Sequence, residues 1–218
     1  MEKFIHQIRK CIKPNCGFRF PNYLSSEQYV YCPKCGSITE VIETPYESMV
    51  VHPSENQKDF GFEVLLDNIR SAYNVGSILR TSDGIGIDFI HFCGITPTPD
   101  HPKVSKTALD AEKLIPWSHN WDSIEVIKTK KESGFLIIAL EGGENAMKLF
   151  DFIKETNNQP LLLVIGNEIS GVDPGILQFC DHKVWLPMVG QKQSFNVSVA
   201  FGIAAYLIKY SELLRSSL

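Results

Sequence analysis

The sequence predicts an α/β fold built on a mainly parallel sheet, preceded by a small cysteine-rich unit. Two observations predict the sheet. Five short apolar runs alternate with segments of helical pattern over the last 160 or so residues, and several of those runs end directly in glycine. A third predicts the front unit: four of the six cysteines fall within the first 35 residues.

The cysteines are spaced Cys11-x4-Cys16-x15-Cys32-x2-Cys35. Two close pairs joined by a short excursion give a tetrahedral ion four thiolates, because each pair turns tightly and the excursion brings the pairs together. Gly17 and Gly36, each following a cysteine, suit such turns. Disulfides are the alternative, but no secretory signal core precedes them and reducing conditions favour thiolates. Cys11, Cys16, Cys32 and Cys35 are therefore expected to hold a structural zinc, with Cys11 the departure from the usual two-residue spacing. Four thiolates leave no open coordination position, so the unit is expected to bind and not to catalyse. Phe18, Arg19, Phe20, Tyr23, Tyr29 and Tyr31 mix aromatic and basic groups around it. They either stack on unpaired bases or cover a miniature core.

Charge is unevenly distributed. The net charge is −4, yet residues 1–40 carry +3 and the remainder −7. A protein that coats nucleic acid by charge alone is excluded, and a nucleic-acid partner would first meet the N-terminal segment. No stretch approaches 18 consecutive apolar residues, so no membrane span is expected and the location is read as cytoplasmic. Domain boundaries are expected as a zinc-ribbon-like unit over 1–45, a linker over 46–60 rich in turn formers, and the α/β domain over 61–218.

Within that domain, 62–67, 88–94, 134–142, 160–166 and 183–187 read as strands. Segments near 74–83, 103–114, 146–155, 173–179 and 196–215 read as helices, and Asp173-Pro174 as a helix cap and first helical position. Gly94, Gly142 and Gly166 fall at the carboxyl ends of strands, where ligands bind in such sheets. Cys93 and Cys180 lie in apolar surroundings and read as small core residues. No dinucleotide-type glycine pattern follows the first strand and no phosphate-loop signature occurs.

Three stretches carry candidate chemistry. In Asn74-Val75-Gly76-Ser77-Ile78-Leu79-Arg80, an arginine nearly two turns into an apolar helix is either a grip for phosphate or ribose oxygens or a surface residue with a buried stem. In Ile165-Gly166-Asn167-Glu168, a buried strand delivers a carboxylate to a loop closed by Gly171, an arrangement that also fits simple solvation. In Leu186-Pro187-Met188-Val189-Gly190 through Ser194-Phe195-Asn196, a polar loop empties into a helix start, which is either an oxygen-ligand site or an ordinary capped turn.

In this order, the three stretches resemble the motifs of the SpoU/TrmH family of S-adenosylmethionine-dependent RNA 2'-O-ribose methyltransferases, in the SPOUT superfamily. The resemblance spans 62–218 and leaves the cysteine unit outside. It implies a C-terminal segment threaded into a trefoil knot, and a homodimer whose active site is completed across the interface. It also implies a cofactor site lined by Leu140, Gly142, Gly166, Leu186, Met188 and Phe195. The substrate would be tRNA or rRNA. By the same resemblance Arg80 engages the target ribose and adjacent phosphate, Asn74 orients Arg80 or the ribose, Ser194 and Asn196 hold the loop against both ligands, and Glu168 fixes the knot or the partner subunit. A guanidinium keeps its proton in proteins, so Arg80 is expected to stabilise the developing oxyanion instead of acting as base. A catalytically silent RNA-binding protein with the same fold, or transfer to a base nitrogen, are the competing readings. The Arg80 motif belongs to the ribose-modifying branch.

Overall fold

The structure, a computed structural model, describes residues 5–23, 30–42, 46–47, 60–156, 159–192 and 194–212. The chain divides into two compact units, Met1–Gln57 and Lys58–Leu218.

The first unit is a small antiparallel sheet. Strand β1 (Ile5–Cys11) pairs with β2 (Arg19–Tyr23), β3 (Thr39–Val41) and β4 (Tyr46–Glu47). A strand at 46–47 and a unit reaching Gln57 put the boundary later than the expected end at 45, because β4 joins the sheet through β1. Two tight turns project the cysteines. The Lys13 carbonyl accepts from the Cys16 and Gly17 amides at 2.9 and 3.2 Å, and the Cys32 carbonyl accepts from the Gly36 amide at 2.8 Å. Gly17 and Gly36 sit at φ 54° and 71°, backbone that glycine adopts without steric cost.

The second unit is a seven-stranded, fully parallel sheet. In chain order its elements are β5 (Phe62–Asp67), α1 (Ala72–Ile85), β6 (Phe89–Cys93), α2 (Pro102–Ala108), β7 (Trp117–Asn120) and α3 (Ser123–Glu132). They continue as β8 (Leu136–Leu140), β9 (Met147–Lys148), α4 (Leu149–Glu155), β10 (Leu161–Ile165), α5 (Pro174–Leu177), β11 (His182–Trp185) and α6 (Val197–Lys209). The spatial order is β7-β6-β5-β10-β8-β11-β9. The last strand thus inserts between two strands that precede it in the chain.

Alternation along the central strands explains the layers. Val64 and Leu66 of β5, with Leu161, Leu163 and Ile165 of β10, face the side covered by α1, α4 and α6. Leu65, Leu162 and Val164 face the side covered by α3 and α5. A strand buried on both faces reads as a continuous apolar run, which is why these two strands are plain in the sequence. Helix α6 fills the first layer with Phe201, Ala204, Ala205 and Ile208. Cys93 and Cys180 pack into the second layer as expected of core residues. Burial pushes their thiols up to about 12 and about 11, which keeps them protonated and unreactive at neutral pH.

Differences from expectation have local causes. The helix foreseen over 103–114 breaks into α2 and a 3-10 turn, Ala111–Lys113, because Leu109 and Asp110 both take left-handed backbone, φ 53° and 73°. Strand β7 and helix α3 were not expected: Trp-Ser-His-Asn is an edge strand without a buried face, and α3 commits only Ser123, Val126 and Ile127 to the interior. The short strand β9 precedes α4 where a longer helix was expected.

Candidate functional site: a cleft at the carboxyl edge of the sheet

All seven strands run the same way, so the loops after β8, β10 and β11 meet at one edge. They enclose a cleft of about 640 Å³. Its volume lies in the range of small-molecule sites. Leu140, Gly142, Gly166, Leu186, Met188 and Phe195 all line it, as do Glu168, Ser194 and Asn196. Gln193, in the same loop, lies outside the described residues.

The cleft wall is a closed backbone loop. Asn167 and Gly171 exchange both backbone hydrogen bonds at 3.0 and 2.9 Å, and the Asn167 side-chain oxygen accepts from the amides of Ile169 and Ser170. Gly166 stands behind this loop. A Cβ there would fall well inside van der Waals contact with the backbone of Gly171 and Val172, so only glycine lets the two segments approach. Glu141 braces the loop from β8: its carboxylate accepts from the amides of Val172 at 2.8 Å and Gly142 at 3.0 Å. The sequence offered no signal for Glu141 beyond an acid at a strand end.

A side-chain relay links three segments far apart in sequence. Asn196 caps α6, its oxygen accepting from the amides of Ser198 and Val199 at 2.9 and 3.4 Å. With the oxygen so engaged, its amide nitrogen donates to the Asn74 side-chain oxygen at 3.1 Å. The Asn74 nitrogen in turn donates to Glu168 at 2.8 Å. This chain of donors and acceptors fixes both amide orientations. Glu168 also accepts from the amides of Arg70 and Ser71 at 2.9 and 3.0 Å, just ahead of the α1 cap Ser71. A carboxylate there complements the positive end of the helix. Burial alone would push the Glu168 carboxyl up, but the hydrogen bonds from Arg70, Asn74 and Ser71 win and hold it below the usual carboxylate range.

Asn74 is bonded to Glu168 and Asn196, not to Arg80; on a helix, residues six apart face directions about 120° apart and sit about 9 Å apart along the axis. Arg80 is exposed and is not among the residues lining the cleft. Glu168 ties the β10 loop to the start of α1. Glu168→Ala strips one acceptor from three donors and is expected to cost about 1–3 kcal/mol. Because the native carboxyl titrates below its ordinary value of 4.5, this stabilisation is full above pH 4.5 and is lost as pH falls through the lower native value. Thermal melts of wild type and variant should therefore converge in acid and stay apart at pH 7.

A candidate metal site lies in the first unit. The four cysteine sulfurs all lie within 4.8 Å of one another, with Cys11–Cys35 at 3.6 Å and Cys16–Cys32 at 3.8 Å. A tetrahedral ion bonded at ~2.3 Å to each sulfur requires S–S edges of about 3.8 Å, so the cluster fits zinc. Cys11 belongs to it despite the four-residue spacing, since it ends β1 and the turn follows. Of the aromatic residues around it, Phe18 stacks on Phe20 at 5.7 Å and Tyr31 is exposed, while Tyr29 lies outside the described residues. A unit this small would gain its folding energy largely from such an ion. If zinc is bound there, chelation is expected to release one zinc per chain and to remove amide-exchange protection from 5–23 and 30–42 while leaving that of β5 and β10 unchanged.

A parallel sheet with a glycine-backed, loop-walled cleft at its carboxyl edge defines an α/β protein that holds a small cofactor at the ends of its strands. The family model described as the SpoU rRNA Methylase family matches residues 61–206, and the chain belongs to that family. A tRNA (guanosine(18)-2'-O)-methyltransferase of Aquifex aeolicus is 32% identical over 159 residues, covering 70% of this chain and 69% of the relative. The crystal structure of an A. aeolicus TrmH/SpoU tRNA modifying enzyme superposes with a TM-score of 0.64 at 25% identity, covering 73% of this chain and 79% of that one. The SpoU methyltransferase AviRb of Streptomyces viridochromogenes, solved with its cofactor AdoMet, shares the fold with a TM-score of 0.64 at 23% identity, over 83% of this chain and 70% of that one. The cofactor of this family is S-adenosylmethionine, and the donor set of the cleft fits it: apolar Leu140, Leu186, Met188 and Phe195 for the adenine, and backbone amides of close-packed loops for its polar groups. Among the described residues no helix is long and apolar enough to cross a membrane.

Proposed function

We propose that this chain methylates a ribose 2'-hydroxyl of tRNA as a homodimer, with Arg80 of one protomer serving the cleft of the other. The observation that carries the cross-subunit reading is that Arg80 is exposed and does not line the cleft of its own protomer. Beside Arg80 on α1, Thr81 and Gly84 border an apolar groove completed by Phe150, Ile203, Tyr206 and Leu207, a face suited to a second copy. Relatives named as tRNA enzymes support tRNA over rRNA as substrate.

The donor supplies an activated sulfonium methyl, so the chain's tasks are positioning and the handling of one proton. Arg80, a permanent cation, draws the ribose oxygen and its neighbouring phosphate into line and stabilises negative charge as it develops. Glu168 is saturated with hydrogen bonds and acts as a brace, not as the base. Asn74 and Asn196 keep the loop before α6 registered on α1, and Ser194 faces the cleft at that loop, available to both ligands. Threading of the C-terminal segment as a knot is part of this reading, and the zinc unit is its RNA-binding extension.

Subunit complementation tests it. Arg80→Ala and a cleft variant, each inactive alone, should regain up to about a quarter of wild-type turnover when co-refolded in equal amounts, because half the dimers are mixed and each holds one intact site. Absence of any recovery in mixtures proven to contain mixed dimers would put Arg80 in its own subunit's site.

A further inference from the structure

On the same carboxyl edge of the sheet, the loops after β6 and β7 form another concavity of about 480 Å³, bounded by Ile95, Pro97, His101, His119 and Trp121. Trp121 is 80% exposed and Ile95 64%. An indole so exposed, with an exposed Ile95 beside it, marks a contact surface, since its flat apolar face gains from being covered. Trp121 is not loose: it meets the His119 ring edge-on, centroids 4.9 Å apart at 87°. His119 is itself fixed, its Nε2 lying 3.0 Å from the Gly94 carbonyl, so Nε2 carries the proton and Nδ1 is left as an acceptor. His101 caps α2 by accepting from the Lys103 amide at Nδ1, at 3.1 Å, which leaves the proton on Nε2 as a donor.

Asn68 links this concavity to the loop that walls the cleft. Asn68, held at φ 54°, accepts from the Ile95 amide with its side chain at 3.2 Å and from the Asn167 amide group with its carbonyl at 2.7 Å. One residue thus joins the cleft loop to the loop after β6 that lines this concavity. Across β5 and β6 the two lie about 10–15 Å apart along the sheet edge.

We propose that this concavity is a subsite for an unpaired nucleobase of the RNA, flanking the nucleotide that is methylated. An aromatic face for stacking, with one fixed donor and one fixed acceptor at its side, is the chemistry that recognises a splayed base and its edge. A splayed base offers both a flat face for the indole and edge groups for the donor and the acceptor, whereas a paired helix keeps its base faces stacked and its Watson–Crick edges paired. The proposal rests on the RNA reading above for its substrate, but its binding test does not depend on turnover.

The experiment compares full-length wild type, Trp121→Ala and Trp121→Phe for binding of a labelled single-stranded oligoadenylate and of an abasic ribose-phosphate strand of equal length, and for methyl transfer into an unmodified tRNA pool. Trp121→Ala should weaken oligoadenylate binding about tenfold, Trp121→Phe should restore most of it, and the abasic strand should bind all three equally weakly. In transfer, the loss should fall on the KM for tRNA and not on kcat. Unchanged S-adenosylmethionine affinity verifies the fold, as expected for so exposed a side chain. Equal oligoadenylate affinity for wild type and Trp121→Ala would overturn the subsite even if transfer into tRNA proceeds normally. A Trp121-dependent, base-dependent affinity without transfer into any RNA would uphold the subsite and refute the proposed activity instead.

Discussion

Arg80→Ala is expected to lower methyl transfer into RNA by at least a thousandfold while leaving S-adenosylmethionine affinity within about twofold of wild type. The first half follows from chemistry. A ribose hydroxyl is a poor nucleophile, and removing a preorganised cation from a developing oxyanion typically costs 10²–10³ in rate; loss of the phosphate grip adds to that. The second half follows from the role proposed for Arg80, which meets the ribose and phosphate of the RNA while the cofactor is held by the loops that line the cleft. Arg80→Lys should recover little, since an ammonium cannot offer the paired donors of a guanidinium. Equilibrium binding of the cofactor and initial rates on RNA, measured on the same preparations, check both halves.

Gly166→Ala is expected to have the opposite signature. The added methyl would meet the backbone of Gly171 and Val172, which cannot yield as a flexible side chain can. The loop held by the Asn167–Gly171 pair and braced by Glu141 must then shift away, opening the cleft wall. Overpacking of this kind costs about 1–3 kcal/mol. Cofactor affinity should fall at least tenfold, or about 1.4 kcal/mol, with transfer lost in proportion. Gly190→Ala is the control: a Cβ there meets nothing within 4 Å, and cofactor affinity should change little. Calorimetric titration with S-adenosylmethionine distinguishes the two, and circular dichroism verifies that both variants fold.

The sequence carried different parts of this structure with unequal clarity. Strands β5 and β10 were legible because both faces are buried, so their apolar runs are uninterrupted. Edge strand β7 and helix α3 were not, since Trp-Ser-His-Asn buries no face and α3 spends most of its length in solvent. Asn196 as a helix cap could be read from the polar loop ahead of an apolar helix. The relay from Asn196 through Asn74 to Glu168 could not, because its members lie 122 and 94 residues apart and only the parallel sheet brings their loops to one edge. Arg80 was identifiable as a candidate by its place in an apolar helix, but not its absence from the cleft lining, which depends on the face α1 turns outward. The grouping of the four cysteines was readable from the sequence, since ligand type and spacing act locally.

The most direct test of the central claim is transfer of labelled methyl from S-adenosylmethionine into unmodified tRNA, with the label mapped after alkaline hydrolysis. The account predicts label in an alkali-resistant dinucleotide at one position, because a methylated 2'-oxygen cannot attack the neighbouring phosphate. Label released on a free base, or a protein that binds the cofactor yet transfers nothing to tRNA or rRNA, would contradict it.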